Sequence, residues 1–129
     1  MEKAFADMIE FNKKFGLEIP SELTLLDDDV RRFRVNFLKE ELEETIIALE
    51  TDDVEEIVDG LVDLCYVAIG TALLMGLDFP AHWDEVQKCN MAKERATDPS
   101  ESKRDSAHDV IKPEGWVGPD HAKIIGDRL

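Results

Sequence analysis

From Ile57 to Leu77 almost every residue is apolar, which calls for a helix covered on most of its circumference, yet Asp59 and Asp63 stand inside that run. An unpaired charge among apolar neighbours is expensive, so something must offset these two carboxylates. The preceding segment carries a matching set. In FLKEELEETI, Glu40, Glu41 and Glu44 recur at helical spacing, and Glu56 precedes Asp59 and Asp63 on the same period. On an ideal helix Glu41 and Glu44 stand about 60° apart, and Glu40 and Glu44, like Asp59 and Asp63, about 40° apart. Helices joined by a short connector pack antiparallel, so the two acidic faces can oppose each other. A divalent cation between them is the economical compensation. An all-carboxylate set with no imidazole or thiolate selects a hard ion, Mg²⁺ with Mn²⁺ as a substitute, over zinc.

Blander readings compete with this one. Acidic runs on exposed helices are ordinary, and Glu40 to Glu44 alone could be a solvated face. Asp59 and Asp63 could instead pair with Arg31, Arg32 or Arg34. Against both, Asp is a poor helix former, and these two interrupt Ile57, Val58, Leu61, Val62, Leu64 and Cys65. A metal site is therefore the preferred expectation. A di-iron bundle needs Glu-x-x-His on its helices, and His82, His108 and His121 lie elsewhere. The Asp27 to Asp29 triplet lacks the alternation and central Gly of a calcium loop.

At 129 residues the chain reads as one domain, 1–129, with a real core. A net charge of -15 and a pI of about 4.4 argue against binding nucleic acid or an anionic membrane. Cys65 reads as buried in the apolar run, Cys89 as half exposed, and neither suggests a disulfide framework. MEKAFADMIEF has no basic segment leading an apolar one, and the run Leu64 to Leu77 is too short to span a bilayer. A cytoplasmic location follows by default.

Periodicity predicts a first helix ending near Gly16 and a long second helix from about Asp28 to Glu50. The Asp27 to Asp29 triplet suits that helix's N-terminus. Asp52 with Glu55 resembles a capping box for a third helix, about Asp53 to Met75, stopped by Gly76. A fourth runs from Pro80 to about Lys93, with Asp78 as candidate cap. Residues 96–110 are polar and breaker-rich, predicting a mobile loop, and 111–129 form a closing tail with one helical turn. The fold expected is an all-α bundle of four to five helices. A helix apolar on all sides needs more cover than one small chain supplies, which predicts a homodimer or homotetramer.

These motifs, in this order, resemble the all-α nucleoside triphosphate pyrophosphohydrolases, also called MazG-like. That group includes dimeric dUTPases and phosphoribosyl-ATP pyrophosphohydrolases. Its signature, EExxE followed by ExxD, is matched by Glu40-Glu41-Leu42-Glu43-Glu44 and then by Glu56-Ile57-Val58-Asp59. Asp63-Leu64-Cys65-Tyr66 is similar to the family's DLLY segment, VQKCNMAK to its Asn-Met-x-Lys segment, and KPEGW to its closing C-terminal stretch. If Asp63 is the Asp of ExxD, the Glu position falls on Gly60 and Asp59 is the natural substitute. If Glu56 and Asp59 are that pair, Asp63 is an additional ligand or supports one.

The resemblance implies hydrolysis of a nucleoside triphosphate, (d)NTP, to the monophosphate and pyrophosphate, dependent on Mg²⁺. It implies Glu41, Glu44, Asp59 and Asp63 as metal ligands, with Glu56 as a further candidate. Glu40 would serve a second metal or orient water. Lys93 and Lys112 are candidates to balance phosphate charge, and Asn90 to hydrogen-bond sugar or phosphate. Tyr66 could reach the same face, or be a core aromatic. Asn12 and Phe11 could touch the base, while Trp116 is read as packing the tail. The base itself is not legible, and phosphoribosyl-ATP is the less expected substrate because no cyclohydrolase segment accompanies the motifs. The alternative class is a non-catalytic acidic helical binding protein, such as a DNA mimic, with a divalent-ion buffer third.

Overall fold

The computed structural model describes residues 1–126, so positions 127–129 of the expected tail lie outside the described residues. Helices α1 (Glu2–Lys14), α2 (Asp28–Glu50), α3 (Val54–Leu74), α4 (Phe79–Met91) and α5 (His121–Ile125) dominate an all-α chain. The rest is a 3-10 turn, Pro99–Glu101, and a minimal antiparallel ladder of β1 (Glu94–Arg95) and β2 (Val110–Ile111). Two compact parts result, one of residues Met1–Pro80 and one beginning at Ala81.

In the first part, α2 opens where the sequence places it. The Asp27 carboxylate accepts the Val30 amide at 2.9 Å, and Asp28 and Asp29 fill the first turn, where the helix dipole favours acids. The turn into α3 differs from expectation. Asp52 adopts φ 54°, a left-handed conformation that a short polar side chain tolerates, and so reverses the chain. Asp53, in extended conformation, becomes the cap and accepts the Glu56 amide at 3.3 Å.

Helices α2 and α3 form the antiparallel hairpin on which everything else in this part rests. They cross closely because Gly60 has no side chain. A Cβ there would collide with Thr45 Oγ1 and stand 3.2 Å from the Thr45 Cα. Thr45 is buried and cannot swing away freely, since its hydroxyl donates to the Glu41 carbonyl at 2.6 Å. On another side of α3, Ile69 and Leu73 meet Met8 of α1, with Phe5, Ile9, Phe11, Ile19 and Phe79 around them. Gly76, at φ +66°, ends α3 where the connector crosses it, and a Cβ there would strike the Glu22 carbonyl.

The cover of α3 is incomplete. Val58, Leu61 and Val62 remain 57%, 49% and 55% exposed, and Ile47 of α2 60%. Positions 58, 61, 62 and 65 share one helical face, so Cys65 is exposed rather than buried as expected. Cys89 is the buried thiol, reversing the second expectation. The expectation of no membrane span bears on α3 as a whole as well. The uninterrupted apolar run is short, but α3 as a whole, at 21 residues, is long and apolar enough to cross a bilayer by length and composition alone. It packs on α1 and α2 instead, and its two aspartates would be costly in lipid.

Helix α4 begins at Phe79, within the first part, and stops at Met91, leaving Lys93 just beyond it; its residues from Ala81 onward belong to the second part. The segment expected as a mobile loop is built from local hydrogen bonds. Glu101 accepts the amides of Thr97 and Asp98 and the Thr97 hydroxyl, Asp98 caps the 3-10 turn, and Asp109 accepts from Ser102 and Arg104. Its Ser, Thr and Asp content, read as breaker-rich, supplies those bonds. The Trp116 indole donates to the Cys89 carbonyl at 2.8 Å, which buries that cysteine's segment. Helix α5 is tied to α4 by the Asp120 amide on Glu85 and by Nδ1 of His82 and His121 at 2.8 Å, one donating and the other accepting.

Replacing Gly60 separates two effects. Alanine favours an isolated helix by about 1 kcal/mol, but overpacking a tight contact typically destabilises by about 1–3 kcal/mol. Gly60→Ala should therefore lower stability in denaturant unfolding, and a more stable variant would contradict the close crossing.

Candidate active site

The Gly60–Thr45 crossing sets the register that brings acids together. One helical turn along, Glu41 of α2 and Asp63 of α3 line the same cavity. Glu41 is buried at 9% exposure, Asp63 is half-buried, and Glu40, Glu44 and Asp59 are exposed around them. The Glu41 carboxyl is held above the usual carboxylate range, first by burial and then by the charges of Asp63, Glu44, Glu40 and Asp59. Four of the other five acids singled out in the sequence therefore act on Glu41. The desolvation falls on Glu41 rather than on the aspartates of the apolar helix, because the face of α3 beside Asp59 is left uncovered.

Glu56 is placed apart. It lies in the first turn of α3, seven residues before Asp63, hence roughly 10 Å away along the axis. The arginine alternative fails as well. Arg31 pairs with Asp28 at 2.8 Å and Arg32 lies 3.7 Å from Asp29. Arg34 donates to the Val67 carbonyl at 2.9 Å and to the Thr71 hydroxyl at 3.0 Å, with its guanidinium near the rings of Phe33 and Phe37. Among the described residues no ion pair reaches Asp59 or Asp63.

A hard divalent cation fits this donor set: like charges converge on a buried carboxyl, without a basic partner and without imidazole or thiolate. Among the described residues no three acidic, imidazole or thiol side chains close into a cage.

Behind Glu41 a half-open hollow of about 150 Å³ lies between α1, α2 and α3. Phe11, Phe37 and Tyr66 supply aromatic walls, with the Tyr66 ring edge-on to Phe11 at 5.4 Å. Asn12, only 1% exposed, lines it, and its Nδ2 has no hydrogen-bond partner among the described residues. Asn12, Phe11 and Tyr66 were legible as candidates in the sequence. Phe37 and the guanidinium of Arg34 were not; the guanidinium fits against α3 because Gly70 has no side chain, and a Cβ there would stand 2.8 Å from the Arg34 Nη2.

In the second part Lys93 and Lys112 lie over the Trp116 ring at 5.2 and 5.0 Å from its centre. With Lys103 and Arg104 they border a hollow of about 410 Å³, where Arg104 is anchored by Asp109 at 2.9 Å. Lys103 and Arg104 went unnoticed in the sequence because SESKRDSAHD reads as a solvated loop. Asn90 is exposed, and its carbonyl accepts the Lys93 amide at 3.1 Å. Trp116 packs, as expected.

A carboxyl whose folded pKa is raised destabilises the fold when ionised, and that penalty disappears as pH falls through the folded value. Glu41→Gln, a neutral isostere, should therefore raise Tm at pH 7 in EDTA and lose most of any Mg²⁺-induced rise. An unchanged or lower Tm in EDTA would contradict the strained carboxylate.

The family model for phosphoribosyl-ATP pyrophosphohydrolase matches residues 8–90, which contain all of α2 and α3, and with them the acidic crossing and the walls of the cavity. No curated relative matches the chain. The match sets aside the reading as a non-catalytic acidic binder. Covering well over half of its length, it shows that the chain belongs to the phosphoribosyl-ATP pyrophosphohydrolase family, hydrolases that cleave phosphoric anhydrides of nucleotide-like substrates.

Proposed function

We propose that the chain hydrolyses a nucleoside triphosphate to its monophosphate and pyrophosphate, with Mg²⁺ held at the α2–α3 crossing. The observation that carries this reading is the buried Glu41 carboxyl surrounded by Asp63, Glu44, Glu40 and Asp59. An acidic protein repels a polyphosphate, so these carboxylates serve the reaction by holding the ion to which the phosphates bind. An Mg²⁺ ion held there by Glu41 and Asp63 would supply charge neutralisation for the phosphates and polarisation of the phosphoryl oxygens. Glu41 and Asp63, with Glu44 and Asp59 beside them, are the ligands. Glu40, exposed on the same turn, orients the attacking water or accepts its proton.

Lys93 and Lys112, each over the Trp116 ring, are the further candidates to balance phosphate charge. The uncovered apolar faces of α2 and α3 support assembly as a homodimer or homotetramer. Phosphoribosyl-ATP, for which the family is named, carries the same triphosphate and belongs among the substrates tested.

Pyrophosphate release should be measured over canonical and deoxyuridine triphosphates and phosphoribosyl-ATP, with Mg²⁺ and with EDTA. Release in Mg²⁺ only is expected, and release from none of them would contradict the proposal. Asp63→Ala should lower kcat by about 100-fold or more while leaving helicity intact. Lys93→Ala should reduce turnover far more than Mg²⁺ affinity, whereas equal losses would make Lys93 structural.

A further inference from the structure

We infer that His82 and His121 are the protein ligands of a separate metal site between α4 and α5, one for a borderline divalent transition-metal ion such as Zn²⁺. It uses none of the residues at the acidic crossing and does not rest on the proposed hydrolysis.

The convergence of two ring nitrogens comes first. Nδ1 of His82 and Nδ1 of His121 stand 2.8 Å apart, with ring centres at 5.0 Å and ring planes inclined by 43°. An ion bound by two imidazoles, each at about 2.0–2.1 Å, needs their nitrogens roughly 3.0–3.4 Å apart for angles between square and tetrahedral. The rings therefore have to part by only about half an ångström. Without an ion the two nitrogens share one hydrogen. With an ion the donor ring carries that hydrogen on Nε2 instead, and both Nδ1 lone pairs face the metal. No proton is lost, and nothing is oxidised or reduced.

The rings are brought together by more than their own hydrogen bond. His82 lies in the first turn of α4 and His121 opens α5, and beside them the Asp120 amide donates to Glu85 Oε1 at 3.0 Å. Asp120 also caps α5 by accepting the Lys123 amide at 3.0 Å. Ligands held by separate bonds lose less freedom when an ion arrives. Charge favours the ion as well. The bond from the Asp120 amide, and then that from Lys88, holds the Glu85 carboxyl below the usual carboxylate range, so a negative charge stands one turn from His82.

Both histidines are half-buried, which leaves a solvent side for the ion and its waters. Among the described residues no third acidic, imidazole or thiol side chain closes with them. Water completes the coordination, and the site is open and exchangeable rather than a closed structural one. Its donors set its preference. Imidazole suits zinc, nickel and copper, whereas Mg²⁺ takes oxygen, so Mg²⁺ does not compete there.

The test separates metal binding from a plain hydrogen bond between helices. Full-length protein is titrated with Zn²⁺ by calorimetry in excess Mg²⁺, then melted with and without Zn²⁺. One Zn²⁺ per chain should bind and raise Tm, and the NMR signals of both Nδ1 atoms should shift. His121→Ala should weaken Zn²⁺ binding by about 10-fold or more and remove the rise in Tm. His82→Asn, whose amide keeps a hydrogen bond for His121, should melt like the parent in EDTA and yet lose Zn²⁺ in the same way. His108→Ala and Cys65→Ser should bind as the parent does. Absence of saturable binding, an affinity unchanged in both His82→Asn and His121→Ala, or a loss confined to His108→Ala or Cys65→Ser would overturn the site and leave the pair as a hydrogen bond alone.

Discussion

The contact of Gly60 with Thr45 is the constraint on which the site depends. Two helices that approach so closely have one register, and that register puts Glu41 beside Asp63 one turn away. The Thr45 hydroxyl is bonded to the Glu41 carbonyl, so the residue that accepts the glycine also steadies the turn carrying the acid. The approach buries Glu41 and surrounds it with carboxylates, a combination that destabilises an ion-free protein. Perturbed carboxyls of this kind are common at functional sites.

Gly60 also bears on the choice left open in the sequence. With Asp63 as the Asp of ExxD, the Glu position falls on a residue that the helix crossing requires to be glycine. Any larger side chain would push α2 away and open the site. Asp59, on the neighbouring line of α3, acts on Glu41 from the edge, whereas Glu56 lies about two turns down the helix and belongs to its first turn. Of Glu56, Asp59 and Asp63 on α3, Asp63 and Asp59 are the ones whose charges act on Glu41.

Much of the fold was legible because helices announce themselves by period and by caps. The Asp27 cap, the α2 limits and the Gly76 stop follow from local chemistry. The acidic set was legible for the same reason, since helical spacing alone groups Glu40, Glu41 and Glu44. What escaped is non-local. Which of the acids is buried depends on which face of α3 meets α2, and a helix apolar all round does not declare its buried face. The exchanged exposures of Cys65 and Cys89 have that origin. Arg34 was read as a possible partner for aspartates, yet its hydrogen bonds go to a carbonyl and a hydroxyl on α3. The basic hollow of Lys93, Lys103, Arg104 and Lys112 depends on the β1–β2 ladder, too short for any sequence period to reveal.

A divalent-cation site at the α2–α3 crossing must be distinguished from general ion binding by a chain that is acidic almost everywhere. Paramagnetic broadening by trace Mn²⁺, followed residue by residue in the NMR spectrum, does so most directly. Resonances of Glu41, Glu44, Asp59, Asp63 and Tyr66 should disappear first, and excess Mg²⁺ should restore them. Broadening spread evenly over acidic surfaces, including Glu2, Glu10 and Asp28, would contradict the site and reduce the cluster to one patch of surface charge among many.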